Sequence, residues 1–376
     1  MPRPKFSPEE LKPTGKMYPG MAWRGVPDTP AFNRPITPLE NFKLLFDGKK
    51  PYWFPVVGRE KAEIQGFRPR INPDNVINRF VADGGPPIDY NAVGTVVRSS
   101  WFDLEWHFVE QVGGMTVDPK TTKILDIARW EDYVSIPDLD AMDWDSCAKQ
   151  NVDYLKTDLL NQFSVWCGLW ERLMALMDVV ELCIAMCDED KKPGLHRFFD
   201  QYSNFIIDYI GRVKDRCNIH SVVLFEDWAH KYGPFMAPDT AREMLLPYIQ
   251  RIVNYVHSRG MYHQIHTCGN VELLLPVFFE TGADIWVGQT DLNDVEAYAK
   301  KYKDQKFTFG VPAPAIGPEA SESEMREAAQ KFVEEYKDCR IAVSYTTLTP
   351  SGPKPLHPGL TDAIYEYSRI AYQNED

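Results

Sequence analysis

The segment His266-Thr267-Cys268 places an imidazole and a thiol two residues apart, directly before Gly269. Because side chains alternate along a strand, a strand that ends here would direct His266 and Cys268 to the same face. Nitrogen and sulfur donors on one face suit zinc, which binds such ligands in tetrahedral geometry. Two ligands do not complete a zinc site, so the remaining donors must come from elsewhere in the chain.

Two adjacent carboxylates, Glu226 and Asp227, close another apolar run, in the segment LFEDWAHKYGPF. Alternation would point one of them into a barrel and the other aside. Either carboxylate could supply a third metal ligand, act as a general acid or hold the loop that follows the strand. The pattern leaves these roles open, and it also leaves open a purely structural role for His266 and Cys268.

Eight short, mostly apolar runs are typical of strands that are buried on both faces of a sheet. They cover residues 52–57, 94–100, 163–168, 221–227, 262–268, 285–290, 307–311 and 340–346. Amphipathic stretches between the runs predict helices. The pattern therefore predicts an α/β fold, a (β/α)8 TIM barrel. An open doubly wound sheet is the alternative, but the sequence lacks a glycine-rich phosphate turn after the first strand.

Signals for both ends of a helix are present in the segment PDTAREMLLPYIQRIVNYVHSRG. Thr240 and Glu243 have the spacing of a capping box, and Gly260 supplies the end. Pro247 interrupts the pattern and predicts a kink, because proline lacks the backbone N–H that a helix needs.

The predicted domains are an N-terminal arm over residues 1–40 and the barrel over residues 41–376. The arm is rich in proline and polar residues. A helical insertion, expected within residues 118–161, would widen the rim of the barrel. The aromatic residues of the segment MYPGMAW in the arm are suited to docking on a second subunit, so a homo-oligomer is possible.

In a barrel of this kind, the active site lies at the carboxyl ends of the strands. The residues that close the predicted strands are therefore the candidates for a site. They are the acids Glu105, Glu226 and Asp227, the phenol of Tyr345, the metal ligands His266 and Cys268, and the pocket residues Trp101, Trp106, Trp166, Trp170 and Gln289. The tryptophans predict an aromatic wall for a flat substrate, with a place in the core as the alternative.

The composition disfavours several classes of protein. A formal net charge of −13, with no basic stripe among aromatic residues, makes nucleic acid an unsuitable partner. The first residues lack the apolar run of a signal peptide, and no segment is apolar enough to span a bilayer. We therefore expect a cytoplasmic protein without membrane association. Seven cysteines at irregular spacing do not resemble a disulfide framework.

The segments FEDWAHKYGPFMAP, LLPYIQRIVNYVHSRG, HTCGN and DAIYEYSR, in this order and spacing, resemble the uroporphyrinogen decarboxylase superfamily. The resemblance begins at TPLENFKLLFDGKKPYWFPV and extends to the end of the chain. It implies a (β/α)8 barrel, in agreement with the strand count. The superfamily comprises decarboxylases of a tetrapyrrole and methyltransferases that exchange a methyl group with cobalamin.

The decarboxylase branch fits this chain poorly. Its members grip a substrate with many carboxylates through an arginine-rich segment after the first strand, where this chain has Arg59 as its one arginine. They also carry a histidine after the last strand, where this chain reads SYTTLTPSG. Decarboxylation of uroporphyrinogen is therefore the least favoured enzymatic alternative.

The methyltransferases that act on thiols bind zinc through an H-x-C pair that matches His266 and Cys268. Their third ligand is a cysteine after the last strand, where this chain has Tyr345, Thr346 and Thr347. We expect a carboxylate, assigned to Glu226, to replace that sulfur. An oxygen ligand would leave a harder and more Lewis-acidic zinc.

The resemblance thus implies a corrinoid-dependent methyltransferase that demethylates a small donor, best an aromatic methyl ether, and passes the methyl group to Co(I) of a corrinoid protein. An ether oxygen leaves only when it is protonated or bound to a metal. Asp227 or Glu105 would assist protonation, and Tyr345 would wall the ring with the tryptophans. No corrinoid-carrier domain is recognisable, so a separate carrier is expected. The alternatives are a methylcobalamin:thiol methyltransferase and a non-catalytic corrinoid-binding protein.

Overall fold

The computed structural model describes residues 3–20, 27–57, 63–67, 96–99, 101–109, 114–345 and 355–375. Within these ranges the strands are β1 (Pro13–Tyr18), β2 (Thr29–Phe32), β3 (Val56–Val57), β4 (Ile64–Phe67), β5 (Val96–Ser99), β6 (Leu104–Val109), β7 (Gly114–Val117), β8 (Leu160–Val165), β9 (Ser221–Phe225), β10 (Ala229–His230), β11 (Gly233–Pro234), β12 (Tyr262–His266), β13 (Ile285–Trp286), β14 (Thr308–Pro312) and β15 (Ile341–Ser344). The α-helices are α1 (Pro38–Phe46), α2 (Trp144–Asn151), α3 (Leu169–Leu176), α4 (Val179–Ala185), α5 (Lys192–Arg216), α6 (Pro238–Met244), α7 (Leu246–Ser258), α8 (Leu275–Thr281), α9 (Val295–Lys301), α10 (Glu322–Tyr336) and α11 (Leu360–Tyr372). None of the helices in these ranges combines the length and the apolar content that crossing a membrane requires.

Eight strands form one sheet, in the order β3-β15-β14-β13-β12-β9-β8-β4. From β4 onward, each strand lies beside the strand of this sheet that follows it in the chain, and the pairs β8 with β9, β9 with β12, β13 with β14, β14 with β15 and β15 with β3 are parallel. Helices separate most of the strands along the chain. This order confirms the predicted α/β fold, a TIM barrel.

One of the eight predicted strands was wrong. The second strand of the sheet is β4, whereas β5, which lies within the predicted run 94–100, pairs antiparallel with β6 in a three-stranded sheet that β7 completes. Residues 94, 95 and 100 lie outside the described residues, as does Arg59. The sequence of β4, IQGF, has Gln65 and Gly66 between its two apolar residues, so it lacks the continuous apolar character that identified the other strands.

The predicted helical insertion is present, mainly as short 3-10 helices. Within residues 118–161 these are Pro119–Thr121, Ile127–Asp132 and Leu139–Ala141, and α2 follows them. Aspartates cap all four of these helices, because their side chains accept hydrogen bonds from the free backbone N–H groups of the first turn.

The segment around Pro247 forms two helices instead of one kinked helix. α6 ends at Met244 and α7 begins at Leu246, with Pro247 in its first turn, where proline is tolerated. Thr240 lies inside α6, whose N-cap residue is Ala237, so the predicted capping box was wrong. Capping boxes occur instead at Thr37 with Glu40 and at Ser321 with Glu324.

The chain divides into two compact units. The first comprises residues 1–65, 157–161 and 283–376, and the second comprises residues 66–156 and 162–282. The division predicted at residue 40, between an arm and a barrel, stays a prediction.

In the first unit, a buried ion pair ties the N-terminal segment to α11. The Arg369 side chain is fully buried, and its Nε donates to Glu10 Oε2 at 2.8 Å. The hydroxyl of Tyr365 donates to the same oxygen. The guanidinium of Arg34 lies 3.3 Å from the centroid of the Tyr365 ring. These contacts join the start of the chain to its last helix.

We predict that Arg369→Met lowers the free energy of unfolding by about 3–5 kcal/mol, because it leaves the Glu10 carboxylate buried without a counter-charge. Urea denaturation measures the change. The matched control is Arg197→Met, which removes an exposed pair with Glu131 and should cost less than about 1 kcal/mol. Equal losses for the two variants would contradict a stabilising role for the buried pair.

Candidate metal centre

Three neighbouring strands of the second unit end at the same level. In the parallel register, His266 of β12 lies opposite Phe225 of β9, and Val165 of β8 lies opposite Leu224. Trp166, the next residue after β8, therefore lies beside Phe225. The rings of Trp166 and Phe225 stack with centroids 3.8 Å apart, and the Phe225 and His266 rings are 4.6 Å apart. The strand ends thus carry a row of three rings.

The two faces of these strands differ in what they contact. Phe163 of β8 packs edge-on against Tyr209 of α5, with centroids 5.1 Å apart, so its face is covered by helices. On the opposite face, which also carries the row of rings, Gln162 donates to Gln264 at 3.0 Å. Because side chains alternate, Asp227 belongs to the face of Phe225 and Glu226 to the helix-covered face.

Asp227, His266 and Cys268 form a potential metal site. One carboxylate oxygen, one imidazole nitrogen and the thiol sulfur all lie within 4.8 Å of one another, and each residue is partly exposed. Cys268 Sγ is 3.5 Å from His266 Nε2, and the Cys268 backbone N–H donates to Asp227 Oδ1 at 2.9 Å. Among the described residues, this is the only such group of three or more histidines, cysteines and acids.

The donor set fits zinc, which accepts nitrogen, sulfur and oxygen ligands and leaves a fourth position open in catalytic sites. Burial and the Asp227 carboxylate raise the pKa of the Cys268 thiol well above its ordinary value. A divalent cation that binds the thiolate would offset the free-energy cost of ionising this buried thiol. Metal binding should therefore release a proton.

Glu226, expected as the third ligand, lies elsewhere. Its carboxylate is fully buried and accepts hydrogen bonds from the backbone N–H groups of Leu169 at 2.7 Å and Trp170 at 3.0 Å, and from Trp228 Nε1 at 2.9 Å. It therefore satisfies the free N–H groups at the start of α3. Burial raises its pKa to about 7. In the structure Asp227, and not Glu226, lies with His266 and Cys268, because alternation separates the two carboxylates.

One residue of the potential metal site and one residue of a neighbouring loop have strained backbone conformations. Asp227 has φ of 44° and Cys167 has φ of 57°, both in the left-handed region. Such a conformation costs a non-glycine residue on the order of 1–3 kcal/mol and persists only where the surrounding contacts hold it. The Cys167 N–H donates to Glu171 Oε2 at 3.1 Å, and the Tyr202 hydroxyl donates to the Cys167 carbonyl at 3.0 Å. These contacts fix the loop between β8 and α3.

Glu171, in the first turn of α3, is an acid that sequence reasoning missed. Desolvation, followed by the charge of Asp227, raises its pKa well above the ordinary value, and the charge of Glu171 contributes in turn to the raised pKa of Cys268. Glu171 therefore retains a proton more readily than an exposed glutamate. The sequence signal that could have identified Glu171 was its position in the first turn of the helix that follows a strand end.

The predicted tryptophans separate into two groups. Trp101, Trp106 and Trp170 are buried, with at most 5% of each side chain exposed. Trp101 packs against Phe205 and Tyr209 of α5, with centroids 5.0 and 5.4 Å away. These three tryptophans thus belong to the core, contrary to the prediction of a pocket wall. Trp166 alone of the four is half-exposed and lies in the row of rings.

The other predicted residues have different surroundings. Glu105 is exposed on β6, 3.7 Å from His107, within the antiparallel sheet, so it does not follow a barrel strand as expected. Tyr345 and Gln289 belong to the first unit. Tyr345 is buried beside Thr361, and the Gln289 carbonyl accepts a hydrogen bond from Asn293 Nδ2 at 2.8 Å.

Comparison with known proteins gives one match to a family model, over slightly less than half of the chain. Residues 170–343 match the family model of uroporphyrinogen decarboxylase (URO-D), which confirms the predicted resemblance to this superfamily. No curated protein matches the sequence. Among solved structures, the chain is similar to a modular endo-β-1,4-mannanase from Cellulomonas fimi, with 12% identity and a TM-score of 0.29 over 59% of this chain and 57% of that chain.

We predict that Asp227→Ala weakens zinc binding more than about 100-fold, because loss of a ligand should exceed the 10–100-fold effect of outer contacts. Glu226→Gln is the matched variant and should weaken zinc binding less than Asp227→Ala does, within the 10–100-fold range of contacts outside the ligand set. Competition with a chromophoric chelator measures both affinities. A larger loss for Glu226→Gln than for Asp227→Ala would show that the ligand assignment is wrong.

We further predict that Glu226 makes the metal-free protein less stable as the pH rises from about 4.5 to about 7. The raised pKa means that the folded state binds the proton more tightly than the unfolded state does, so its stabilising contribution is complete at low pH and is lost across this window. Urea denaturation at pH 5 and pH 8 should show a smaller difference for Glu226→Gln than for the parent protein, by up to about 3 kcal/mol. An unchanged difference would contradict the raised pKa.

Proposed function

We propose that this protein is a corrinoid-dependent methyltransferase that takes a methyl group from a small donor, best an aromatic methyl ether, and transfers it to Co(I) of a separate corrinoid protein. The observation that carries the proposal is the group of Asp227, His266 and Cys268 at the ends of β9 and β12. The match to the URO-D family supports it, because the superfamily includes corrinoid methyltransferases.

The three side chains would hold zinc, which when bound supplies Lewis acidity toward an ether oxygen. The donor set includes one oxygen and one sulfur. Thiolate ligands favour soft metal sites, and a carboxylate favours harder ones. A mixed set therefore suits a donor that reacts at oxygen better than one that reacts at sulfur.

The row of Trp166 and Phe225 would position an aromatic donor beside the ligands. Both side chains are partly exposed, and the row ends at His266. Offset stacking between aromatic rings adds about 0.5–1.5 kcal/mol to the burial of their surfaces. A flat ring placed against this row would have its methoxy group near the potential metal site.

We assign the proton donor to Glu171, which accepts a hydrogen bond from the Cys167 N–H beside the ends of the strands. In the proposed reaction the methyl carbon–oxygen bond of the ether breaks, its electron pair stays on oxygen, and a cobalt–carbon bond forms with the two electrons of Co(I). The oxygen then needs a proton. Desolvation raises the pKa of Glu171 above its ordinary value, which favours a carboxyl group that can donate this proton.

A second candidate is a methylcobalamin:thiol methyltransferase. The pairing of His266 with Cys268, with Sγ and Nε2 3.5 Å apart, favours it. The third donor in this group is the Asp227 carboxylate, where the thiol-dependent enzymes of the superfamily are expected to use sulfur. The two candidates differ in the class of methyl donor and in the direction of transfer.

The test is a spectrophotometric assay of the zinc-loaded protein with free cobalamin. We expect cob(I)alamin to be methylated by a guaiacol-type ether, and Cys268→Ala to lower both the zinc content and the rate by more than about 100-fold. The control is Cys187→Ala, which changes an exposed cysteine and should retain both.

Two outcomes would contradict the proposal. If Cys268→Ala retained full zinc content and full activity, the proposed coordination would be wrong. If methylcobalamin were consumed by thiols while ethers gave no methylation of cob(I)alamin, the second candidate would replace the first.

A further inference from the structure

The first unit contains a cavity of about 100 Å³ whose lining includes none of the potential metal ligands. Residues of the N-terminal segment form one side of it, and residues near β3, β15 and α11 form the other. The lining is mainly aromatic and aliphatic. The residues that define its chemistry are Tyr18, Phe32, Arg34, Trp53, Glu63 and Tyr365. Thr29, Pro30 and Phe32 are partly exposed, so the cavity has an edge at the surface.

Glu63 is the acidic group of this cavity, and it is held in a fixed position. Only 8% of the residue is exposed. Trp53 Nε1 donates to Oε1 at 2.7 Å, and the Val56 N–H donates to Oε2 at 3.0 Å. Each carboxylate oxygen can accept more than one hydrogen bond. Glu63 can therefore accept a further hydrogen bond from a ligand without giving up its own contacts.

Arg34 restricts the charge that a ligand can carry. Its guanidinium lies over the Tyr365 ring, 3.3 Å from the centroid, and Arg34 is one of the residues that line the cavity. Burial raises the pKa of Glu63 to about 7, and the positive charge of Arg34 opposes this rise. A cationic ligand would be repelled by Arg34, and an anionic ligand would be repelled by ionised Glu63. The cavity is suited to a neutral molecule.

We propose that this cavity binds a neutral single-ring aromatic molecule that carries one hydrogen-bond donor, with phenol as the simplest example. The aromatic lining supplies contact area for the ring, and Glu63 accepts the hydroxyl hydrogen. A closed apolar cavity of roughly 150 Å³ holds benzene. This cavity measures about 100 Å³, so one ring fits only if part of it reaches the surface edge at Thr29, Pro30 and Phe32, and a larger molecule does not fit.

Isothermal titration calorimetry of the full chain at pH 8, with phenol and with benzene as probes, tests the proposal. At this pH Glu63 is mostly ionised and phenol is mostly neutral. We expect phenol to bind at one site and at least about 10-fold more tightly than benzene, because a hydrogen bond to a charged acceptor contributes that much. Glu63→Gln should lower the affinity for phenol about 10-fold and leave that for benzene unchanged.

Two control variants separate this effect from changes in folding. Glu327→Gln changes an exposed glutamate of α10 in the same unit and should leave the affinity for phenol unchanged. Ile364→Phe enlarges a side chain of the lining and should abolish binding of both probes while the circular dichroism spectrum is retained. Circular dichroism also checks that Glu63→Gln is folded.

The proposal is overturned if phenol does not bind, if phenol and benzene bind equally well to the parent protein, or if folded Ile364→Phe binds phenol as tightly as the parent protein does. Binding is measured without a methyl donor, zinc or corrinoid. The result therefore does not depend on whether the proposed methyl transfer is correct.

Discussion

The buried Glu226 carboxylate is the interaction on which the geometry of the potential metal site depends. Two of its three hydrogen bonds join the end of β9 to the start of α3, and the third is donated by Trp228 Nε1. Gly168 makes this approach possible, because a Cβ there would lie 2.2 Å from Glu226 Oε1. With Glu226 fixed on the helix-covered face, Asp227 is directed to the other face, where His266 and Cys268 lie. Glu226, which lies outside the potential metal site, thus orients Asp227, which lies within it.

Much of the fold could be predicted from the sequence, because strands buried on both faces leave a continuous apolar signal. β4 was missed because Gln65 and Gly66 interrupt that signal. Alternation also predicted that His266 and Cys268 share a face. The choice between Glu226 and Asp227 needed one further fact, the register that places Phe225 opposite His266. Register depends on pairing between strands distant in sequence, so a single strand does not reveal it.

The composition of the pocket was harder to predict than its position. A tryptophan near a strand end has the same local sequence signal whether it enters the core or lines a pocket. Trp170 is fully buried against Phe235, whereas Trp166 is half-exposed four residues earlier. Glu171 was missed for a related reason, since its raised pKa comes from desolvation and from Asp227, which is distant in sequence. Such effects arise from tertiary contacts.

The measurement that tests the central claim most directly is X-ray absorption at the zinc edge of the zinc-loaded protein, before and after addition of a methoxylated aromatic. The account predicts one sulfur ligand, from Cys268, among nitrogen and oxygen ligands, and an unchanged sulfur count when the ether is added. A first shell with two or more sulfur atoms, or with none, would contradict the coordination by Asp227, His266 and Cys268 on which the proposed methyl transfer rests.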